Sequence, residues 1–327
     1  MTAMVTLPDI EEAGRRIAGH VVRTPLLRSQ ALSRPSGAPI FLKLENHQKT
    51  GSFKLRGATN AILCLDEKAR SRGLTTASTG NHGRAVAHAA RTLGVRATIC
   101  LSALVPANKV EAIRSLGAEV RIVGHSQDDA MREVERLVGE EGMTFVPPFD
   151  DAGVIAGQGT VGLEIADGLP DVALILVPLS GGGLASGVAA AIKGRRPQAK
   201  VVGVSMERGA AMAASLAAGT PLEVQEVETL ADSLGGGIGL DNRLTFAMCR
   251  DLLDDVILLS EDEIAAAIRH AAAVEGEIVE GAGAVGIAAL LAGKIRAGGP
   301  TAIVVSGGNI DPAVHRNIVD RIKLGVA

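Results

Sequence analysis

Short runs of β-branched and aliphatic residues alternate along the chain with longer Ala-rich stretches. Ile40–Leu44, Ala97–Leu101, Glu119–Val123, Val172–Val177, Val201–Ser205, Val256–Leu259 and Ala302–Val305 have the length of strands. Most are nearly continuous in apolar residues, the pattern of strands covered on both faces. Between them, Gly83–Leu93, Lys109–Leu116, Gln127–Gly139 and Glu261–Glu275 have helical length and spacing. Ser260 stands three residues ahead of Glu263, which predicts a capping box at the start of the last of these helices. The alternation predicts an α/β protein with largely parallel sheets. The cluster Pro147-Pro148-Phe149-Asp150-Asp151 interrupts it and marks a candidate crossing between domains.

Composition narrows the function classes. The chain has 327 residues, enough for two domains or one with a large insertion. A net charge of -3 gives no electrostatic footprint for nucleic acid. With no Trp, no Tyr and five Phe, base stacking is disfavoured and Tyr is excluded as an acid or base. Cys64, Cys100 and Cys249 are widely spaced and form no CxxC or Cys/His cluster, so they predict reduced thiols in a cytoplasmic protein. Neither a leader-like N-terminus nor a membrane-length apolar run is expected.

Four glycine-bearing turns stand where a ligand could sit. They are Ser78-Thr79-Gly80-Asn81-His82-Gly83, Ser180-Gly181-Gly182-Gly183-Leu184, Leu234-Gly235-Gly236-Gly237-Ile238-Gly239 and Ser306-Gly307-Gly308-Asn309. The first, second and fourth follow strands, and open α/β sheets bind ligands beyond the carboxyl ends of their strands. Those three are expected to meet at one crevice. The Ser180–Leu184 turn leads into an Ala/Gly helix, so its backbone N–H groups and the helix dipole favour an anion, most naturally a phosphate. A tight packing turn explains the same residues equally well, since the segment has neither a Walker A nor a GxGxxG pattern. Lys54 lies between Phe53 and Leu55, with Arg56 a candidate cationic neighbour. Desolvation beside a cation would lower its pKa and make it a nucleophilic amine. Composition alone favours a solvated surface lysine instead.

The run Lys43-Leu44-Glu45-Asn46, followed by Gln48-Lys49-Thr50-Gly51-Ser52-Phe53-Lys54-Leu55-Arg56-Gly57-Ala58, resembles the signature of the serine/threonine dehydratase and serine racemase family. Ser78–Gly83, Ala156-Gly157-Gln158-Gly159-Thr160, Ser180–Leu184 and Ser306–Asn309 match in the same order, and the resemblance spans roughly residues 5 to 320. It implies a fold-type-II, tryptophan synthase β-like pyridoxal 5'-phosphate enzyme. Its two open, mostly parallel sheets would carry flanking helices. Residues 1–50 and 148–327 would form the larger cofactor-binding domain, and 51–147 the smaller one. The reaction implied is loss of water from a small β-hydroxy amino acid, threonine- or serine-like or hydroxyectoine-derived, to give a 2-oxo acid and ammonia.

By the same resemblance Lys54 carries the cofactor as a Schiff base and takes the α-proton. Phe53 packs beside the cofactor ring and Asn81 bonds its phenolic oxygen. Ser180, Gly181, Gly182, Gly183 and Leu184 cradle the phosphate. Ser306 meets the pyridine nitrogen, and a hydroxyl there makes the ring a weaker electron sink that fits elimination over transamination. Glu280 lies near this site, or is merely a helix-start acid. Ser78, Thr79, Gly80, Asn81 and His82 form the substrate loop. Thr79 stands where racemising relatives present a hydroxyl base, and His82 is expected to order the loop.

Two departures from the family pattern bear on metal and regulation. The carboxylates with which many relatives bind a divalent cation fall on Ser205 and Ala211, leaving Glu207 nearby, so no metal is expected. The chain ends soon after the Ser306 motif, which implies no appended regulatory domain and a catabolic role. Asp232-Ser233-Leu234 before Gly235–Gly239 is similar to the hydroxyectoine-utilisation dehydratase subgroup. A homodimer is the family habit, and neither nucleic acid nor membrane is an expected partner. The rival readings are a β-replacement synthase or amino-acid racemase of the same fold, and a non-catalytic nucleotide-binding Rossmann-like protein.

Overall fold

In the computed structural model, which describes residues 4–78, 80–105 and 107–320, the apolar runs become strands almost residue for residue. Among the described residues ten strands form: β1 Leu26–Ser29, β2 Ile40–Leu44, β3 Leu74–Ala77, β4 Ala97–Leu101, β5 Glu119–Ile122, β6 Thr144–Phe145, β7 Leu174–Pro178, β8 Lys200–Met206, β9 Asp255–Leu259 and β10 Thr301–Val305. One sheet has the order β1-β2-β10-β7-β8-β9, the other β5-β4-β3-β6. Only β1 runs antiparallel to its neighbour; every other pairing is parallel. The two open, mostly parallel sheets with flanking helices are therefore present.

The continuous apolar character of the strands follows from coverage on both faces. In β7, Leu174 and Leu176 enter the cluster containing Leu42, Val204 and Val285. Ile175 and Val177 enter another, with Val161, Val188 and Ile192. The smaller sheet has its own core around Leu74, Ile99, Val86 and Ile113. The Ser260 capping box forms, with the Ser260 N–H donating to Glu263 Oε2 at 2.8 Å. That helix ends earlier than its sequence suggests: Glu261–His270 is α-helical, Ala271–Glu275 is a π turn, and Gly276 stops it at φ 72°.

Three helices fix the lysine segment against the larger sheet. Helix Lys54–Cys64 packs on helix Ala152–Gly168, which packs on helix Gly183–Arg195. Small residues let these backbones approach closely. A Cβ on Gly157 would lie 2.6 Å from the Arg56 carbonyl oxygen, and one on Gly187 2.4 Å from that of Ile155. A buried ionic cluster ties the same elements to β2. Arg56 reaches Glu45 at 2.8 Å and Glu164 at 2.7 Å, and Lys43 reaches Glu164 at 2.5 Å. Buried charges are tolerated only when paired in this way.

Candidate active site

Lys54 opens its helix at the floor of a cleft of about 650 Å³. The segment before it is clamped to the turn after β10. Ser52 forms an isolated bridge with Gly307, the Phe53 N–H donates to the Ser306 carbonyl at 3.0 Å, and the Gly308 N–H donates to that of Gly51 at 2.9 Å. The Lys54 amine donates to the Pro148 carbonyl at 2.7 Å and stands 5.4 Å from the centre of the Phe53 ring. Burial pushes it down to about 8, against the opposing pull of Glu280. Arg56 is not the cationic neighbour that the sequence suggested. Its guanidinium is held by Glu45 and Glu164, and desolvation alone shifts the lysine.

Opposite the lysine, β7 feeds the Ser180–Leu184 turn. Gly182 has φ 89°, and Gly183 begins a 13-residue helix whose start has no side-chain cap and no acid in its first turn. The first amides of a helix have no partner within it, so here they are left for an anion. The turn is seated on Phe149, since a Cβ on Gly181 would lie 2.4 Å from that ring. These uncapped donors, together with a desolvated amine in the same cleft, fit a group that carries both a phosphate and a carbonyl carbon.

The third wall joins the two sheets. Asn81, at the start of the helix after β3, donates through Nδ2 to Glu280 Oε1 at 2.7 Å and accepts from Asn309 Nδ2 at 2.5 Å. The Glu280 N–H donates to the Gly307 carbonyl at 3.1 Å. Burial raises the Glu280 carboxyl to about 7, helped by the charge of Asp232; the Asn81 bond and the Asn309 backbone N–H pull the other way. Glu280 is thus both a helix-start residue and part of the cleft wall. His82 is buried, with Nε2 bonded to the Val146 carbonyl at 2.9 Å. Burial and the charge of Lys54 push it down to about 3, so it is neutral. Because a carbonyl only accepts, Nε2 carries the proton, and Nδ1 is a buried acceptor with no partner among the described residues.

Phe53, Lys54, Ser78, Gly80, Asn81, His82, Ser180, Gly181, Gly182, Gly183, Leu184, Glu280 and Ser306 all line this one cleft. The three post-strand turns do meet. Leu234–Gly237 of the remaining glycine segment borders the cleft too. Thr79 lies outside the described residues. Glu207 stands apart, exposed and paired with Lys294 at 3.2 Å. Sequence reasoning did not single out Pro148, Phe149, Lys109 or Gln127, which also line the cleft, as does the acidic edge Glu226, Glu228 and Asp232. The interruption at Pro147–Asp151 was the one available signal for the first two.

Residues 17–307 match the family described as pyridoxal-phosphate dependent enzyme. The chain is 46% identical over 319 residues to the L-threonine ammonia-lyase of Thermotoga maritima, covering 98% of this chain and 78% of that protein. It is 40% identical over 310 residues to the catabolic L-threonine dehydratase TdcB of Escherichia coli, covering 94% of each. Its fold is similar to that of maize serine racemase, with a TM-score of 0.91, 34% identity and coverage of 98% of this chain and 99% of the other.

Proposed function

The chain belongs to the pyridoxal-phosphate dependent enzymes, within them to the serine/threonine dehydratase group, and we propose that Lys54 is the residue on which its chemistry turns. The enzyme is a lyase that eliminates water from a small β-hydroxy amino acid and releases a 2-oxo acid and ammonia. Its cofactor is pyridoxal 5'-phosphate. The observation that carries the role of Lys54 is its amine, lowered by burial, at the floor of the cleft that the uncapped helix start of Gly183 also faces.

Pyridoxal phosphate, when bound, supplies the electron sink that makes the substrate α-proton acidic. Lys54 would hold the cofactor through its amine, and that same amine, when free, would take the substrate α-proton. With a pKa of about 8, the amine takes a proton and gives it up again near neutral pH. The backbone N–H groups of Ser180–Leu184 bind the phosphate, and the helix dipole behind them adds to the attraction. Phe53 would pack beside the cofactor ring, Asn81 would donate to its phenolic oxygen, and the Ser306 hydroxyl would meet its nitrogen; all three line the cleft. Glu280 shapes that end of the pocket through Asn81. The loop carrying Ser78, Thr79, Gly80, Asn81 and His82 holds the substrate. The α C–H and β C–O bonds break, water leaves, and the enamine released hydrolyses to the 2-oxo acid and ammonia.

The finer reading is of a cytoplasmic homodimer whose substrates include a hydroxyectoine-derived amino acid. The open Gly235–Gly237 segment on the cleft supports a side chain larger than that of threonine. We assign residues 1–50 with 148–327 to the larger domain and 51–147 to the smaller; the membership of the two sheets supports this. Steady-state release of 2-oxo acid from serine, threonine, 3-hydroxyaspartate and hydroxyectoine-derived amino acids tests the substrate range. Lys54→Ala is expected to abolish both turnover and the cofactor's long-wavelength absorbance. A Lys54→Ala enzyme that keeps full activity overturns the assignment.

A further inference from the structure

Asn309 closes the last glycine motif, Ser306-Gly307-Gly308-Asn309. It sits in a continuous chain of hydrogen bonds. Arg84 Nη1 donates to Asn309 Oδ1 at 3.0 Å. Asn309 Nδ2 donates to the Thr50 carbonyl at 2.8 Å and to Asn81 Oδ1 at 2.5 Å. Asn81 Nδ2 donates to Glu280 Oε1 at 2.7 Å.

A carboxamide can turn end over end, exchanging donor for acceptor, so the direction of such a chain needs a cause. Here two anchors cannot be reversed. A guanidinium only donates, so the Asn309 oxygen must face Arg84. A backbone carbonyl only accepts, so the Asn309 nitrogen must face Thr50. That nitrogen is also the atom turned toward Asn81, which must therefore present its oxygen to it. The Asn81 nitrogen is left to face Glu280, where the carboxyl accepts whether or not it is protonated. One Asn81 N–H then remains, on a residue that lines the cleft.

We propose that Arg84 and Asn309 are positioning residues that lock the Asn81 carboxamide with its nitrogen toward the cleft. Asn81 is then held ready as a hydrogen-bond donor to an anionic oxygen of the bound cofactor. This rests on the reading that Asn81 meets the cofactor. The lock is built into the fold. Arg84 lies one turn after Asn81 on the same helix. Asn309 is pressed against Gly51, where a Cβ would come within 2.6 Å of Asn309 Oδ1.

Asn309→Asp tests the lock at nearly constant shape. A carboxylate keeps the Arg84 contact but cannot donate, so Asn81 must turn and present its oxygen to the cleft. Arg84→Met removes the donor-only anchor, and Arg84→Lys restores a donor. Three quantities are measured: the dissociation constant of pyridoxal phosphate, the absorption maximum of the bound cofactor, and the melting temperature of the cofactor-free protein. Asn309→Asp is expected to weaken cofactor binding by about tenfold, the scale of one lost hydrogen bond, and to shift the band. Arg84→Met is expected to change both in the same sense by less, and Arg84→Lys to recover the parental values. Melting of the cofactor-free Arg84 variants is expected to stay within about 3 °C of the parent.

Asn81→Ala separates the two ways of failing. If it leaves affinity and band unchanged, Asn81 does not meet the cofactor and the underlying reading falls. If it changes both while Asn309→Asp and Arg84→Met change neither, the positioning role is overturned. An Arg84→Lys variant as impaired as Arg84→Met overturns the part assigned to the donor.

Discussion

Replacing Lys54 with Met should stabilise the cofactor-free protein, and by an amount that depends on pH. Burial lowers the Lys54 amine from 10.5 to about 8. The unfolded chain therefore binds more protons than the folded one between those two values, and the parent gains stability as pH rises across that window. Below pH 8 both states carry the charge, and the folded state bears the full cost of burying it. A shift of ~2.5 pH units at ~1.4 kcal/mol each sets a ceiling of ~3.5 kcal/mol, and the solvent in the cleft lowers the expected gain to ~1–3 kcal/mol.

Glu280 dictates the choice of conditions. Its carboxyl titrates at about 7 and attracts the lysine when ionised. At pH 6 it is mostly neutral, so the charge on Lys54 is least compensated there. Urea midpoints of cofactor-free parent and Lys54→Met at pH 6 and pH 10.5 isolate the effect. The advantage of the variant at pH 6 is expected to shrink toward ~0.4 kcal/mol at pH 10.5, where half of the unfolded lysine is already neutral. A constant offset at both pH values would report only the change in packing. It would refute the claim that desolvation sets the state of this amine.

Glu280→Gln should remove a slope of opposite sign. The raised carboxyl gives the parent stability below about 4.5 that is lost as pH rises through about 7, so urea midpoints of the variant should fall less between pH 5 and pH 8. Gly182→Ala combines a left-handed backbone with a Cβ 2.8 Å from Met212 Cε. Melting of the cofactor-free protein should show a loss of ~2–5 kcal/mol. Arg56→Met strands the buried Glu45 carboxylate and should cost ~3–5 kcal/mol in urea unfolding, with partial recovery when Glu45→Met is added.

The strands that could be read from the sequence are those packed on both faces, because burial leaves them uniformly apolar. The ones missed have other reasons to exist. In β3, Thr75 and Thr76 are wholly buried yet polar in composition, so the run resembles a loop. Edge strand β1 is largely exposed, and β6 has only two residues. The same blindness applied to charge. Lys43 and Arg56 are buried like core leucines, but the pairs of Arg56 with Glu45 and Glu164 across 11 and 108 positions, and of Lys43 with Glu164 across 121, leave no local signature. Arg56 beside Lys54 in sequence suggested a cationic neighbour; on the helix its side chain leaves in another direction. The glycine turns were legible because backbone conformation is encoded locally. The Asn309–Asn81 contact was not, since it joins residues 228 positions apart.

Why these distant motifs form one site follows from strand order. β10 lies between β2 and β7, parallel to both and in register with Leu44 opposite Val305. The turn after β10 is therefore flanked on one side by the segment that follows β2 and on the other by the segment that follows β7. The first contains Lys54 and the second Ser180–Leu184, so lysine and anion cradle lie on either side of β10. The smaller sheet supplies Asn81 from the end of β3, and the Ser306–Asn309 turn receives it. One four-residue turn thus bonds to the lysine segment through Ser306, to Glu280 through Gly307 and to Asn81 through Asn309. The cleft is complete only where β10 lies between β2 and β7, because the turn that follows it supplies these three contacts.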